Sequence, residues 1–472
     1  MNLFLFHRDL RLVDNTTLIY QLKECKNVIP IFIFTIEQIE PEKNKYFSNN
    51  SVQFMIESLH ELSTKIKKKN GKMYFFKGDT TSILININNK IKIDSIGFNI
   101  DYTPYAKQRD NDIIEWCNKN NIKCYMKEDY LLYDILEGQT KKENGEVYKV
   151  FTPFRNNCYK KLQVREIDKF KSFKFIKNKE LENTKYYIDE KEINLFYEEN
   201  PNINVNGGRK NGLKILSNIS KFKNYEKNRD YLIYKTTFLS AHNHFSTISI
   251  REVYHKVSNE LGKKCGIINE LHWRDFYVNI TYYFPHILHG QIKGKNKSFK
   301  EKYDEIKWDY NKKLFEAWCS GETGFPIVDA GMRQLNETGF MHNRLRMITS
   351  SFLVKDLHID WRLGEQYFAT KLVDYDPMQN NGGWQWSAST GTDSQPYFRI
   401  FNPWSQIKYD LEYEFIKKWI PEIKDIPNKE LNKWYESKIY TKWINEGIEY
   451  YKPIVDHNIE RKITLENYKK II

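Results

Sequence analysis

The sequence has few cysteines and no arrangement of them that binds metal. Six cysteines occur in 472 residues, and no two form a CxxC pair. This excludes the common zinc and iron–sulfur spacings and a disulfide framework, so we expect free thiols and no metal site. No apolar run is long enough to cross a bilayer, and no secretory leader precedes the first strand-like residues. We therefore expect a soluble protein of the cytoplasm or nucleus.

The usual nucleotide-binding loops are also missing. No GxGxxG follows the first apolar segment, so the common dinucleotide fingerprint is absent. Gly207-Gly208 lacks the rest of a phosphate-loop motif and predicts only a turn before a helix.

Positive charge and aromatic residues are abundant. The net charge is +13, the aromatic content is 15%, and there are 11 tryptophans. An excess of lysine and arginine suits a polyanionic partner, because these side chains displace counterions from phosphates. A generally lysine-rich proteome explains the charge about equally well. The aromatic content favours stacking surfaces in addition to packing.

Strand and helix patterns alternate over residues 1–132 and predict a doubly wound, Rossmann-like α/β domain. Residues 133–209 are irregular and predict an interdomain connection. Residues 210–472 show helical patterns only, so the fold class is α/β plus all-α. The predicted strands are Leu3–Phe6, Val28–Phe34, Met73–Phe76, Ile93–Asn99 and, as the last, Lys123–Met126. The predicted helices are Thr16–Lys23, Val52–Lys67, Asp110–Asn118, Lys210–Phe222, Ile250–Glu260, Asn269–Tyr282, Lys312–Ser320, Val328–Gly339, Asn343–Leu357, Trp361–Leu372 and Tyr413–Trp419.

The segment Asn380–Trp386 combines two asparagines, two glycines and two tryptophans. The glycines allow the backbone to approach another group closely, and the tryptophans supply flat surfaces. Arg346, with Asp374 or Asp376 as its partner, supplies charge near this segment. The combination predicts a site for a large flat heterocycle.

A second polar group occurs within a predicted helix. Glu270, Trp273, Arg274 and Tyr277 share one helical face. Taken alone, an amphipathic helix with an ion pair explains this pattern slightly better than a site does. His272 has no second histidine one turn away, so it does not predict a metal site.

The sequence resembles the photolyase/cryptochrome family over nearly its whole length. The resemblance rests on several motifs that are dense and specific. They are Phe6–Arg11, Asp101–Tyr105, Thr236–Ser240 with Phe245, Ile248 and Ser249, Glu270–Tyr277, Gly324–Arg333, His342–Met347 and Asn380–Phe398.

The resemblance implies that the helical domain holds FAD in a U shape. Arg346 would offset the charge of the reduced, anionic flavin, and Asn380 would face its N5 atom. A phosphate grip is expected from the Thr/Ser loop or the helix start near Ser249. The loop departs from the family at Ala241 and Asn243, and we expect its two histidines, His242 and His244, to be exposed. The residues implied to bind the cofactor are Tyr225, Thr236, Thr237, Phe238, Leu239, Ser240, Arg346, Asp374, Tyr375, Asp376 and Asn380.

The resemblance also implies that a damaged pyrimidine pair is flipped out of UV-damaged DNA. Excited reduced FAD would give it an electron, and Trp384, Trp361 and Trp308 would reduce oxidised flavin. Trp273 and Trp386 would stack on the flipped bases, while Glu270 and Asn343 would bind base edges, with Met347 beside them. The implied DNA contacts are Arg229, Arg274, Tyr277, Arg344 and Arg399.

Two positions indicate which lesion is repaired. The (6-4) photolyases have histidines where this chain has Asn343 and Met347, so the resemblance favours a class I cyclobutane-dimer photolyase acting as a monomer. Asn380 agrees, because plant cryptochromes have Asp there and animal ones Cys. A cryptochrome without repair, a (6-4) photolyase and an FAD-free basic DNA-binding protein are the alternatives. The family also implies an antenna chromophore, a folate or a deazaflavin, in the α/β domain.

Overall fold

A six-stranded sheet organises the amino-terminal part of the chain. The computed structural model describes residues 1–291 and 294–471. The strand order is β5-β4-β1-β2-β3-β6, with five parallel strands and β6 antiparallel to β3. The five predicted strands are confirmed, but Lys123–Met126 is not the last. The sixth is only two residues long, which is too short to produce a sequence pattern. The strands are β1 Asn2–Phe6, β2 Ile29–Phe34, β3 Tyr74–Lys77, β4 Ser95–Asn99, β5 Lys123–Lys127 and β6 Tyr187–Ile188.

Both faces of this sheet are buried, as the continuous apolar strands predict. Phe4 and Phe6 lie in the core on one face, and Leu3 and Leu5 in the core on the other. The helices that cover the sheet are α1 Thr16–Cys25, α2 Ile36–Ile39, α3 Asn49–Lys67, α4 Thr80–Lys90 and α5 Pro104–Lys119.

Among the described residues after β5, β6 is the only strand, and the other regular elements are helices. All the predicted helices are present, although Lys210–Phe222 is an α-helix followed by a 3-10 turn. Four longer helices of this part were not predicted: α6, α16, α20 and α21. The helices are α6 Phe151–Lys161, α7 Arg209–Ser217, α8 Tyr225–Asn228, α9 Ser240–His244, α10 Ile250–Leu261, α11 Gly266–Tyr283, α12 Lys312–Ser320, α13 Pro326–Thr338, α14 Asn343–Lys355, α15 Trp361–Lys371, α16 Pro377–Ser387, α17 Pro403–Gln406, α18 Glu414–Trp419, α19 Asn428–Leu431, α20 Ser437–Asn445 and α21 His457–Lys469.

The helical part packs against the sheet where the strand order reverses, at the carboxyl ends of β1 and β4. Arg8, just after β1, binds Asp101 over 2.6 Å and Asp376 over 3.3 Å. Nearby, Arg251 of α10 binds Asp14 over 2.6 Å. These buried ion pairs fix the helical part to the sheet. Among the described helices, none is long and apolar enough to cross a membrane.

Candidate functional site

The segment Asn380–Trp386 lies on helix α16. Asp376 caps this helix by accepting hydrogen bonds from the backbone N–H groups of Met378 and Gln379. A Cβ atom on Gly382 would lie 2.3 Å from the Tyr277 ring, so glycine lets α16 pack directly against α11. A Cβ on Gly383 would meet no atom of the described residues within 4 Å outside the adjoining turns of its own helix. The first glycine therefore serves packing, and the second faces an open space.

Arg346 pairs with Asp374 rather than with Asp376. Its Nη2 lies 3.0 Å and 2.9 Å from the two carboxylate oxygens of Asp374, and its Nε donates to the Met341 carbonyl. Asp374 is buried, while the Arg346 side chain is 27% exposed. The buried carboxylate thus holds a partly exposed cation in a fixed position.

Asp376 is directed toward the sheet. It accepts hydrogen bonds from Arg8, from the Tyr130 hydroxyl and from His244. Burial pushes the pKa of Asp376 up, but the hydrogen bond and charge of His244 and the charge of Arg8 hold it well below its ordinary range. Its carboxylate is fully engaged by protein groups, so its contact with the flavin ring, expected from the sequence, has no free side-chain oxygen to support it.

The side-chain Nδ2 of Asn380 is used in a hydrogen bond, whereas its Oδ1 can accept one from a ligand. Its Nδ2 donates to the Glu365 carbonyl over 2.9 Å, which directs Oδ1 the other way. The Glu365 carboxylate accepts from Asn381 over 3.0 Å and from Asn296 over 2.8 Å. Burial raises the pKa of Glu365 to about 7. The network behind Asn380 therefore fixes Oδ1 as a hydrogen-bond acceptor facing away from α15.

Helix α11 presents three of the four predicted residues on a half-buried stripe. Trp273 stacks on Phe151 at 3.6 Å between ring centroids and on Tyr277 at 5.6 Å. Glu270 pairs with Arg229 over 2.5 Å, and both side chains are partly exposed. Burial raises the pKa of Glu270 to about 6, although Arg229 acts in the opposite direction.

Arg274 does not share that stripe. It is buried, donates to the Tyr130 carbonyl and pairs with Asp275 over 3.1 Å. The predicted contact of Arg274 with DNA stays a prediction, and the burial of its side chain does not favour it. Helical spacing places residues 270 and 274 on neighbouring positions, but only tertiary packing shows that residue 274 is turned inward.

The first turn of α14 carries the remaining predicted site residues of this region, Asn343 and Arg344. The side chain of His342 caps the helix. Asn343 is exposed, and its Nδ2 lies 3.8 Å from the Met347 sulfur. Arg344 pairs with Asp230 over 2.6 Å. Arg399 is exposed on a separate loop.

The loop Thr236–Ser240 turns sharply at Phe238, which has a φ of 54°. Thr236 and Thr237, like Tyr225, are half-buried. Ser249 is excluded as a phosphate ligand, because it is buried and its hydroxyl donates to Asp14. The loop and Tyr225 remain as the predicted phosphate ligands.

The exposed-loop prediction for the two histidines is wrong. His242 is fully buried in α9 and its Nδ1 pairs with the Thr247 hydroxyl over 2.8 Å. His244 pairs with Asp376. Both are held by tertiary contacts from distant or following residues, which local sequence does not show. Within residues 1–291 and 294–471, no group of three or more His, Cys, Asp or Glu side chains could hold a metal.

The three predicted tryptophans lie in the helical part. Trp361 and Trp384 are buried and Trp308 is half-buried. Their indole N–H groups make no hydrogen bond to any residue that the structure describes. Trp384 also lies 6.0 Å from Trp318, between ring centroids. Sequence reasoning missed Trp318, since nothing local distinguishes it from a core tryptophan.

Comparison with protein families identifies the class. Residues 2–173 match the family described as DNA photolyase, and residues 267–470 match the FAD binding domain of DNA photolyase. The chain belongs to the DNA photolyase family, and its helical part is an FAD-binding domain.

Relatives match the chain over its full length. A deoxyribodipyrimidine photo-lyase of Buchnera aphidicola is 36% identical and aligns over 99% of this chain and 98% of its own. An archaeal photolyase from Sulfolobus tokodaii, whose structure contains two FAD molecules, is 39% identical over 100% of both chains with a TM-score of 0.86. A class III photolyase from Agrobacterium tumefaciens is 29% identical over 100% and 97% of the chains, with a TM-score of 0.85.

The residues present fit FAD. The space beside Gly383 is open, Asn380 offers an acceptor, and Arg346 offers a fixed cation. The half-buried loop at Thr236–Ser240 begins a short helix and offers hydroxyl groups to phosphate. These donors and acceptors match a reduced, anionic flavin with a pyrophosphate.

Proposed function

We propose that the protein is a deoxyribodipyrimidine photo-lyase that uses light to repair cyclobutane pyrimidine dimers in DNA. The observation that carries the choice of lesion is the Asn343–Met347 contact at the edge of the site. Neither side chain is a proton donor suited to the (6-4) reaction. Opening a cyclobutane ring involves no net proton transfer, so this edge needs no acid.

When bound and reduced, FAD supplies the light-excited electron that splits the dimer and then takes it back. Arg346 compensates the negative charge of the reduced ring, because Asp374 holds the guanidinium in place. The Oδ1 atom of Asn380 accepts a hydrogen bond from the ring. These residues supply position and electrostatics.

The substrate pocket is formed by α11, α14 and α16. Trp273 and Trp386 are half-buried and provide aromatic surfaces for flipped bases. Glu270, oriented by Arg229, accepts hydrogen bonds from base edges on one side, and Asn343 contributes an amide on the other. Arg344 and Arg399 neutralise backbone phosphates, in keeping with the net charge of +13.

We also propose that Trp384, Trp361 and Trp308 carry electrons to oxidised flavin, and that the α/β domain, residues 1–132, holds a second chromophore. The candidates for this second chromophore are a folate, a deazaflavin and a second flavin. The flavin is included because the structure of the Sulfolobus relative contains two FAD molecules. Absorption spectra of the chromophores released by denaturation identify it.

A repair assay tests the lesion. The purified protein is photoreduced and mixed with DNA that contains either cyclobutane dimers or (6-4) products, and recovered thymines are counted after blue light. We expect recovery only from the cyclobutane dimer. Recovery only from the (6-4) product reverses the assignment of the lesion, and recovery from neither supports a cryptochrome.

A further inference from the structure

Tyr130 lies between two guanidinium groups at the junction of the sheet and the helical domain. The Cζ atoms of Arg8 and Arg274 each lie 3.6 Å from the centre of its ring. Cations over an aromatic face are attracted to it, and more strongly when the group is desolvated. Arg8 comes from the sheet and Arg274 from α11, so the ring is fixed from both domains.

Within residues 1–291 and 294–471, the hydroxyl of this clamped ring has one hydrogen-bond partner. It donates to Oδ2 of Asp376 over 2.7 Å, and both side chains are buried. The same oxygen accepts from Arg8 over 3.3 Å and lies 3.2 Å from His244 Nδ1. Asp376 therefore joins the sheet, the segment after the phosphate loop, and α16.

The contact continues directly into the proposed flavin site. Oδ1 of Asp376 accepts from the backbone N–H groups of Met378 and Gln379, and its carbonyl accepts from the Asn380 N–H over 2.9 Å. A displacement of Asp376 thus moves the first turn of α16 and Asn380 with it.

We propose that Tyr130 is a positioning residue whose hydroxyl fixes Asp376, so that the α/β domain sets the placement of Asn380 against the flavin. This inference rests on the proposed role of Asn380, and it adds a role for the α/β domain that is independent of any second chromophore. Buried side chains hold position best when their own partners are fixed, and the two guanidinium groups fix the tyrosine ring.

The variant Tyr130→Phe removes the hydroxyl and keeps the clamped ring. Hydrogen exchange of the FAD-loaded protein reports on the cap, and we expect the Met378, Gln379 and Asn380 amides to exchange about fivefold faster, as loss of one hydrogen bond implies. The matched control is Tyr133→Phe, a buried tyrosine whose hydroxyl pairs with His272. Unchanged exchange in Tyr130→Phe, or equal acceleration in both variants, overturns the proposal.

A double-mutant cycle tests the route through Asn380. The readout is the rate at which reduced flavin is reoxidised by air in Tyr130→Phe, Asn380→Ala and the double variant. We expect each single variant to accelerate reoxidation and the double variant to match Asn380→Ala, because residues in one network are not additive. Independent, additive effects overturn the route. Neither measurement uses DNA. Failure of the repair assay therefore leaves the positioning role open to test, and failure of the positioning role does not affect the repair assay.

Discussion

Asn380 and Glu365 are joined by a hydrogen bond of 2.9 Å from the Asn380 amide to the Glu365 carbonyl. The carboxylate of the same glutamate is bound by Asn381 and Asn296, and it is almost completely buried. One residue thus orients the amide that we place beside the flavin and also carries a titratable group behind it. This arrangement links the pH dependence of stability to the proposed site.

The variant Glu365→Gln is expected to change how stability depends on pH. Burial raises the pKa of Glu365 from 4.5 to about 7. Between these values the folded state keeps a proton that the unfolded state has lost, so the free energy of unfolding falls as pH rises. The fall amounts to roughly 3 kcal/mol. Glutamine does not titrate, so this part of the fall disappears in the variant.

Urea denaturation between about pH 4.5 and pH 7.5 measures this difference. The exposed substitution Glu466→Gln on α21 is the control, and its pH profile should follow that of the unmodified protein. Parallel profiles for all three proteins would show that Glu365 has the same pKa in the folded and unfolded states, and would contradict the raised pKa.

Removal of the Glu270 carboxylate should lower the repair activity more than it lowers the amount of bound FAD. Glu270→Ala deletes the group that Arg229 orients toward the pocket. Loss of a hydrogen bond to a charged group costs about 1.5–3 kcal/mol, so repair should fall at least about tenfold. Glu226→Ala is a matched control, since Glu226 also pairs with Arg229, at 3.4 Å, but is 65% exposed. Repair by photoreduced protein and bound FAD are measured for both. An equal loss of repair in the two variants contradicts a direct role.

Sequence predicts the elements of this fold better than their mutual orientation. The strands were found because both faces are apolar, and α14 because its spacing is regular. Helix α16 was missed because Gly382 and Gly383 interrupt the helical pattern, although Gly382 is needed for contact with Tyr277. The placements of Arg274 and Asp376 depend on Tyr130, more than 100 residues away, and no local pattern contains that information.

The proposed electron path predicts a selective defect. Trp308→Phe should slow light-driven reduction of oxidised FAD and leave repair by chemically reduced protein unchanged. Trp318→Phe is a demanding control, because Trp318 lies 6.0 Å from Trp384 yet stands outside the proposed series. Photoreduction is followed by flavin absorbance under blue light. A larger defect in Trp318→Phe than in Trp308→Phe would redirect the path through Trp318.

Arg399 should contribute to DNA binding through charge alone. It is exposed, and the structure gives its side chain no ion pair among the described residues, so it is available to a phosphate. Arg399→Gln should weaken binding to damaged and undamaged DNA similarly. The slope of log K against log salt concentration should become less steep by about 0.9. Fluorescence anisotropy between about 50 and 200 mM salt measures both quantities.

The control is Arg461→Gln, an exposed substitution on α21 that alters the net charge by the same amount. If both variants change the slope by the same amount, the protein's overall charge controls binding, whereas a change confined to Arg399→Gln places a phosphate at that loop.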